Sequence, residues 1–165
     1  MNGCRDDRGF VLTAINLLMA GHARAAAGVV ILATAGAAVS SPIVPYEVQG
    51  NEIRAPLTAV AGDPARGRKV LMGRDGNCLL CHAVPETGAL FMGNLGPSLS
   101  GVGARLSAGQ LRLRVVDSRR LSADTIMPAY YSIEGLANVA VAWQGKPVLT
   151  AQQVEDTVAY LRTLR

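Results

Sequence analysis

The sequence predicts an all-α fold, with several short helices joined by long loops in one domain that follows an N-terminal extension. Three observations lead there. No stretch of any length alternates apolar and polar residues as a strand does, whereas apolar residues recur at helical spacing in three places. The segments between those places are crowded with glycine and proline. Half of the 165 residues are apolar, yet only seven are Phe, Trp or Tyr. Such a core must be filled by small aliphatic side chains or by something that is not protein.

The chain begins with a segment that reads as an address. From Ala25 to Val39 it is uncharged for about 15 residues, short of the roughly 20 that a bilayer span requires. Arg24 precedes this run, and Ala35-Gly36-Ala37 offers a small-residue cleavage site. Residues 1–41 are therefore expected to be a secretory signal peptide. Asp6 and Asp7 do not suit a basic leader, and Met19 would be a cleaner start, placing residues 1–18 outside the translated chain. Cleavage would take Cys4 and His22 with it, leaving Cys78, Cys81 and a single histidine, His82. From Pro42 onward 13 Lys and Arg stand against 10 Asp and Glu. That surplus is too small and too dispersed for nucleic acid, and nothing after the leader calls for a membrane.

Residues 42–62 contain Pro42, Pro45, Pro56, Gly50 and Gly62 and lack helical periodicity, so they read as an extended arm, free to wrap a partner. The domain proper is expected over residues 63–165. Asp63-Pro64 is an N-cap followed by proline at the first helical position, where its missing N–H matters least. A helix should run to about Met72 with Gly67, Val70 and Leu71 as its packing face, ended by Gly73 and Gly76. Residues 83–103 hold five glycines and two prolines and read as loop. Ser107 caps a second helix to about Val116, with Leu111 and Val115 on one face and Arg112 and Arg114 pointing elsewhere. Residues 118–148 are irregular. The last helix is the clearest: Thr150 and Gln153 form a capping box, and Val154, Val158 and Leu161 recur on one face. Loops this long argue against a small domain, unless they wrap a large bound group.

Cys78-Leu79-Leu80-Cys81-His82 supplies such a group, because it is the pattern that attaches haem c. Two thiols three residues apart on a turn can each add to one vinyl of the same porphyrin, and the next residue, His82, then meets the iron. Other readings fit less well. A thioredoxin-like pair needs a βαβ unit that is not visible, and a structural zinc needs four ligands where the mature chain offers three. A disulfide between Cys78 and Cys81 would close too short a loop to constrain much.

With His22 gone, a second axial histidine is impossible within the mature chain. Met72, Met92, Met127, Lys69, Lys146 or an open position remain. Met127 fits best, because it lies in a loop 45 residues beyond His82, stiffened by Pro128, whereas Met72 and Met92 are expected to be core filler. A thioether ligand favours ferrous iron and hence electron transfer. The Pro97 carbonyl can accept the His82 Nδ1–H and orient the ring. Arg105 can pair with a haem propionate, and Trp143 can donate its indole N–H to one.

With these residues in place, the chain resembles class I cytochromes c, and most closely the SoxX family of small cytochrome subunits of the SoxAX thiosulfate-oxidising complex. The resemblance runs from about Gly62 to Arg165. It rests on Gly76-Asn77-Cys78 through His82, on Gly93-Asn94-Leu95-Gly96-Pro97 and on Gly101-Val102-Gly103-Ala104-Arg105. More particular are Asp124-Thr125-Ile126-Met127-Pro128-Ala129-Tyr130-Tyr131, Ala142-Trp143-Gln144-Gly145-Lys146-Pro147 and the stretch from Leu149 to Asp156. The resemblance implies a cytochrome c-like all-α fold around one covalently bound haem. It also implies a periplasmic heterodimer with SoxA. In that complex thiosulfate is joined oxidatively to a cysteine of the carrier protein SoxYZ, the chemistry lies on SoxA, and the SoxX haem passes electrons to a small cytochrome c. The residues agree with a relay: once Cys78, Cys81 and His82 are engaged, the mature chain has no thiol or imidazole left for catalysis. A free-standing electron shuttle and a haem sensor are the alternatives.

Overall fold

The computed structural model describes residues 43–165. The expected signal peptide lies outside the described residues. Four α-helices form, with short 3₁₀ turns between them and no strand among the described residues. None of these helices is long and apolar enough to cross a membrane.

Helix α1 (Pro64–Met72) starts as its sequence dictates. Asp63 Oδ1 accepts the Arg66 amide at 2.8 Å, Pro64 takes the first turn, and Gly73 closes the end. A four-residue helix, α2 (Val102–Arg105), stands where the sequence suggested only loop. Its Gly103 explains why it exists: a Cβ there would strike the carbonyls of Leu161 and Arg162, so this turn is pressed against the C-terminal helix. Helix α3 (Ala108–Asp117) is capped by Ser107, which accepts the Gln110 amide at 3.1 Å. Helix α4 (Ala151–Thr163) carries the expected capping box: Thr150 and Gln153 exchange bonds of 2.8 and 3.2 Å.

Helix α4 is the axis, with α1, α2 and α3 all packed on it. The α1–α4 crossing is set by absent side chains. A Cβ on Gly67 would collide with the Asp156 carbonyl, and one on Gly62 with that of Glu155. Glycine at these points lets the two backbones touch, and Leu71, Val154, Val158 and Leu161 fill the space beside them. Among the described residues the buried core is otherwise aliphatic, with Tyr131 and Tyr160 its buried aromatics.

The arm reverses at a Gln49–Glu52 bridge and belongs to the domain's own core instead of standing free. Ile53 and Leu57 are buried, and the Ile53 amide donates to the Gly109 carbonyl at 3.1 Å. Its anchor is a buried ion pair. Arg112, expected on the outer face of α3, is only 4% exposed. It grips Glu155 through Nε–Oε1 at 2.7 Å and Nη2–Oε2 at 2.8 Å. The same guanidinium donates to the Ile53 carbonyl at 2.6 Å, while Glu155 accepts the Leu57 amide at 2.9 Å. The arm's two strand-like carbonyl and amide groups thus complete a salt bridge that would otherwise be under-satisfied, and no buried side-chain N or O lacks a partner among the described residues.

Candidate functional site

A left-handed residue launches the site. Asn77 has φ of 43°, a conformation that Asn tolerates better than most residues. It turns the chain into a 3₁₀ turn, Cys78–Leu80, whose carbonyl at Cys78 accepts the amides of Cys81 at 3.1 Å and His82 at 2.9 Å. This tight loop presents Cys78, Cys81 and His82 to one cavity of about 640 Å³, within the 300–1,000 Å³ typical of cofactor sites. Its walls are mostly aliphatic, including Leu71, Leu99, Leu111, Val115, Leu149 and Leu161.

The following loop folds back over the turn. Gly93 and Gly96 donate to the carbonyls of Leu79 and Cys81 at 2.7 and 2.8 Å. At Gly96 the backbone passes so close to the His82 ring that any Cβ would strike it. His82 Nδ1 lies 2.7 Å from the Pro97 carbonyl, which leaves Nε2 free for a metal. Arg105 reaches the same loop, donating to the carbonyls of Ser100 at 2.7 Å and Ser98 at 3.4 Å. It borders the cavity while bracing the segment that carries Pro97.

Met127 lines the same cavity. Its backbone is held on both sides, by Ser118 Oγ donating to its carbonyl at 3.0 Å and by its amide donating to Thr125 Oγ1 at 3.2 Å. The neighbouring segment is tied to α3, with the Tyr130 and Tyr131 amides on the carbonyls of Val115 and Val116 at 3.3 and 3.1 Å. None of the competing candidates reaches the cavity. Lys146 Nζ donates to the Ala142 carbonyl. The Met92 sulfur accepts the Val84 amide at 3.1 Å. Met72 is 38% exposed at the end of α1, a surface residue instead of core filler.

Trp143 is not among the residues lining this cavity: it sits on a 3₁₀ turn, Val141–Trp143, is 51% exposed, and borders a separate cleft with Ile133, Leu136 and Val139. Two residues that the sequence did not single out stand in its place. Arg114 lines the cavity, half-buried, with Nη1 on the Gln110 carbonyl at 2.9 Å, and offers a cation to an anionic carboxylate within. Tyr130 also lines it; burial, and then the nearby cysteines, push its phenol above the ordinary range, so it remains a neutral hydroxyl. Helical spacing places Arg114 one turn before Ser118, itself on the cavity wall, which was the signal available for it.

The residues fit a haem. The cavity is large and apolar enough for a porphyrin, the two thiols and the imidazole face it from one turn, and a thioether and two arginines complete the wall. Burial pushes the Cys78 thiol up to about 11, so as a free group it stays protonated.

The cytochrome c family profile matches residues 64–165. A chain of the crystal structure of SoxXA from P. pantotrophus superposes with a TM-score of 0.68 at 31% identity, covering 76% of this chain and 98% of that one. A search of curated protein sequences returns no match. A turn bearing two cysteines and a histidine, an aliphatic cavity of porphyrin size and a shared helical frame have one common explanation. The chain belongs to the cytochrome c family, as a SoxX-like monohaem electron-transfer cytochrome carrying one covalently bound haem c.

Proposed function

We propose that this chain is the electron-relay subunit of a periplasmic SoxAX-type complex, paired with a SoxA-like cytochrome that performs the sulfur chemistry. In this reading the partner joins thiosulfate oxidatively to a cysteine of a SoxYZ-type carrier. The present chain takes up the electrons and yields them to a small cytochrome c. The observation that supports it most is the convergence of Cys78, Cys81, His82 and Met127 on one cavity. Bound haem would supply a one-electron couple, whose potential ligation by His82 and Met127 would raise.

The chain's own residues do the rest. Cys78 and Cys81 anchor the porphyrin edge. Pro97 holds the proton of His82 on Nδ1 and fixes the ring for ligation through Nε2. Ser118 and Thr125 keep the Met127 segment in place, so its thioether needs little ordering to ligate. Arg105 and Arg114 neutralise carboxylates at the cavity wall, and the aliphatic lining excludes water. No step requires acid–base chemistry from this chain.

Oxidised and reduced absorption spectra of the periplasmically produced protein test the ligation. The weak red-end band of the oxidised wild type should vanish in Met127→Ala, with its potential falling and carbon monoxide binding to the reduced form. Identical spectra for the two proteins would remove Met127 from the iron. Co-purification with the organism's SoxA-type cytochrome tests the complex.

A further inference from the structure

Tyr131 is 2% exposed, and its phenol joins two parts of the chain that are far apart in sequence. Its hydroxyl accepts the Val44 amide of the arm at 2.8 Å, across 87 positions. Its own amide donates to the Val116 carbonyl, near the end of α3, at 3.1 Å. Four residues earlier stands Met127, on the wall of the haem cavity. Ala129 between them is 5% exposed, so the short connection is packed as well. The bonds that Ser118 and Thr125 make to Met127 span only nine and two positions. The Val44 bond adds a support from outside the loop.

The arm can serve as a fixed point because its far end is held. Ile53 is fully buried, its amide is on the Gly109 carbonyl and its own carbonyl accepts from Arg112. Between Val44 and Ile53 the chain reverses, with Gln49 and Glu52 exchanging backbone bonds of 2.9 and 3.3 Å. Ile43, Tyr46 and Val48 pack against the core on the way. The arm thus reaches from Gly109 and Arg112 on α3 to the segment beyond the end of that helix. A buried ring in a close-packed interior has little room to swing, so a bond at its hydroxyl restrains the backbone that carries it.

We infer that Tyr131 is a positioning residue for the axial ligand: with its hydroxyl on Val44, it couples the arm to the Met127 segment and opposes departure of the thioether from the iron. The inference rests on ligation by Met127 and adds what keeps that ligand in place. When an external ligand replaces Met127, the 127–131 segment has to move and the arm bond breaks. A local opening draws on the contacts of its own segment, so this bond acts on ligand retention and not only on global stability. Retention of the thioether keeps the potential high and the sixth position closed to small ligands.

The test titrates the oxidised holo-protein with imidazole, which competes for the sixth position, and follows loss of the red-end band. Tyr131→Phe removes the acceptor and keeps the ring. Val44→Pro removes the donor from the other side, at a residue already followed by Pro45. Gly67→Ala, at the α1–α4 contact, lowers the melting temperature without touching the arm bond. Tyr131→Phe and Val44→Pro should each bind imidazole about fivefold more tightly, the factor that one hydrogen bond of about 1 kcal/mol gives. Their double variant should bind it no more tightly than either single one, because both remove the same bond. Gly67→Ala should stay within about twofold of wild type, since its contact lies outside the opening segment. Loss of the band from both arm variants before imidazole is added, with Gly67→Ala retaining it, supports the same role. Unchanged imidazole affinity in Tyr131→Phe, additive effects in the double variant, or an equal gain in Gly67→Ala overturns the positioning role and leaves ligation by Met127 standing. A wild type without the band overturns both.

Discussion

Two regions of the molecule bind the chain to itself in opposite ways. In the helical frame, α1, α3, α4 and the arm are joined by side chains reaching across long stretches of sequence. Arg112 and Glu155 grip the backbone of Ile53 and Leu57, Arg66 pairs with Asp156, and Gly67 lets two helices touch. The 118–148 segment, by contrast, has no α-helix and leaves Val141, Trp143 and Val148 exposed. It is held at scattered points, by Ser118 on the Met127 carbonyl, by Tyr130 and Tyr131 on α3, by Arg119 on residues 132–135 and by the Leu149 amide on the Tyr130 carbonyl. The frame is stable through its own contacts. The segment carrying Met127 has the cavity for its inner surface, so the haem is part of its packing.

The largest effect should come from breaking the frame at its buried pair. Glu155→Gln leaves Arg112 desolvated without its countercharge and should cost about 3–5 kcal/mol in denaturant unfolding. An Arg112→Met, Glu155→Leu double variant should recover much of that loss, because replacing both charges removes the desolvation problem. Recovery by neither would mean that the arm's backbone bonds, not the ion pair, hold the frame. Gly67→Ala comes next. Its methyl would drive α1 off the Asp156 carbonyl, costing about 1–3 kcal/mol as overpacking does, readable as a lower melting temperature.

Acid should also act first on ion pairs at the edge of the frame. The Arg119 guanidinium holds the Asp117 carboxyl below its usual range. At Asp156, burial pushes the carboxyl up, but hydrogen bonds from Arg66, the Asp63 amide and Gln152 outweigh it, and the net shift is downward. A carboxyl whose folded pKa is depressed contributes stability above its unfolded value of about 4 and loses it as pH falls through the folded value. Stability should therefore decline below about pH 4, and more shallowly in an Asp117→Asn, Asp156→Asn variant. Parallel pH profiles would show that these pairs do not carry the acid sensitivity. The smallest effect belongs to the loop: Arg119→Ala should cost no more than about 1 kcal/mol globally, yet speed amide exchange over 132–135, whose carbonyls Arg119 holds.

Local chemistry explains which parts were legible. The caps at Asp63, Ser107 and Thr150 act within one turn, so the starts of α1, α3 and α4 could be read from spacing alone. The cysteine–histidine turn is likewise local, and it named the cofactor before any fold was known. What lay beyond reading depended on distant partners. Arg112 looked like a surface charge because Glu155 and the arm, which make its burial tolerable, are far away in sequence. Arg114 lines the cavity and Trp143 borders another cleft for the same reason, since helical spacing and composition do not reveal which distant segments build a wall.

By itself the sequence determined an all-α domain of capped helices and an electron-transfer cytochrome with one haem c attached at the cysteine–histidine turn. Each of these follows from residue types within a few positions of one another. Only the tertiary structure decided that the arm completes the core, that Arg114 and Tyr130 share the cavity wall, and that the Tyr131 hydroxyl meets the arm at Val44. These are consequences of which surfaces meet, and burial is a property of the assembled whole that no local pattern encodes.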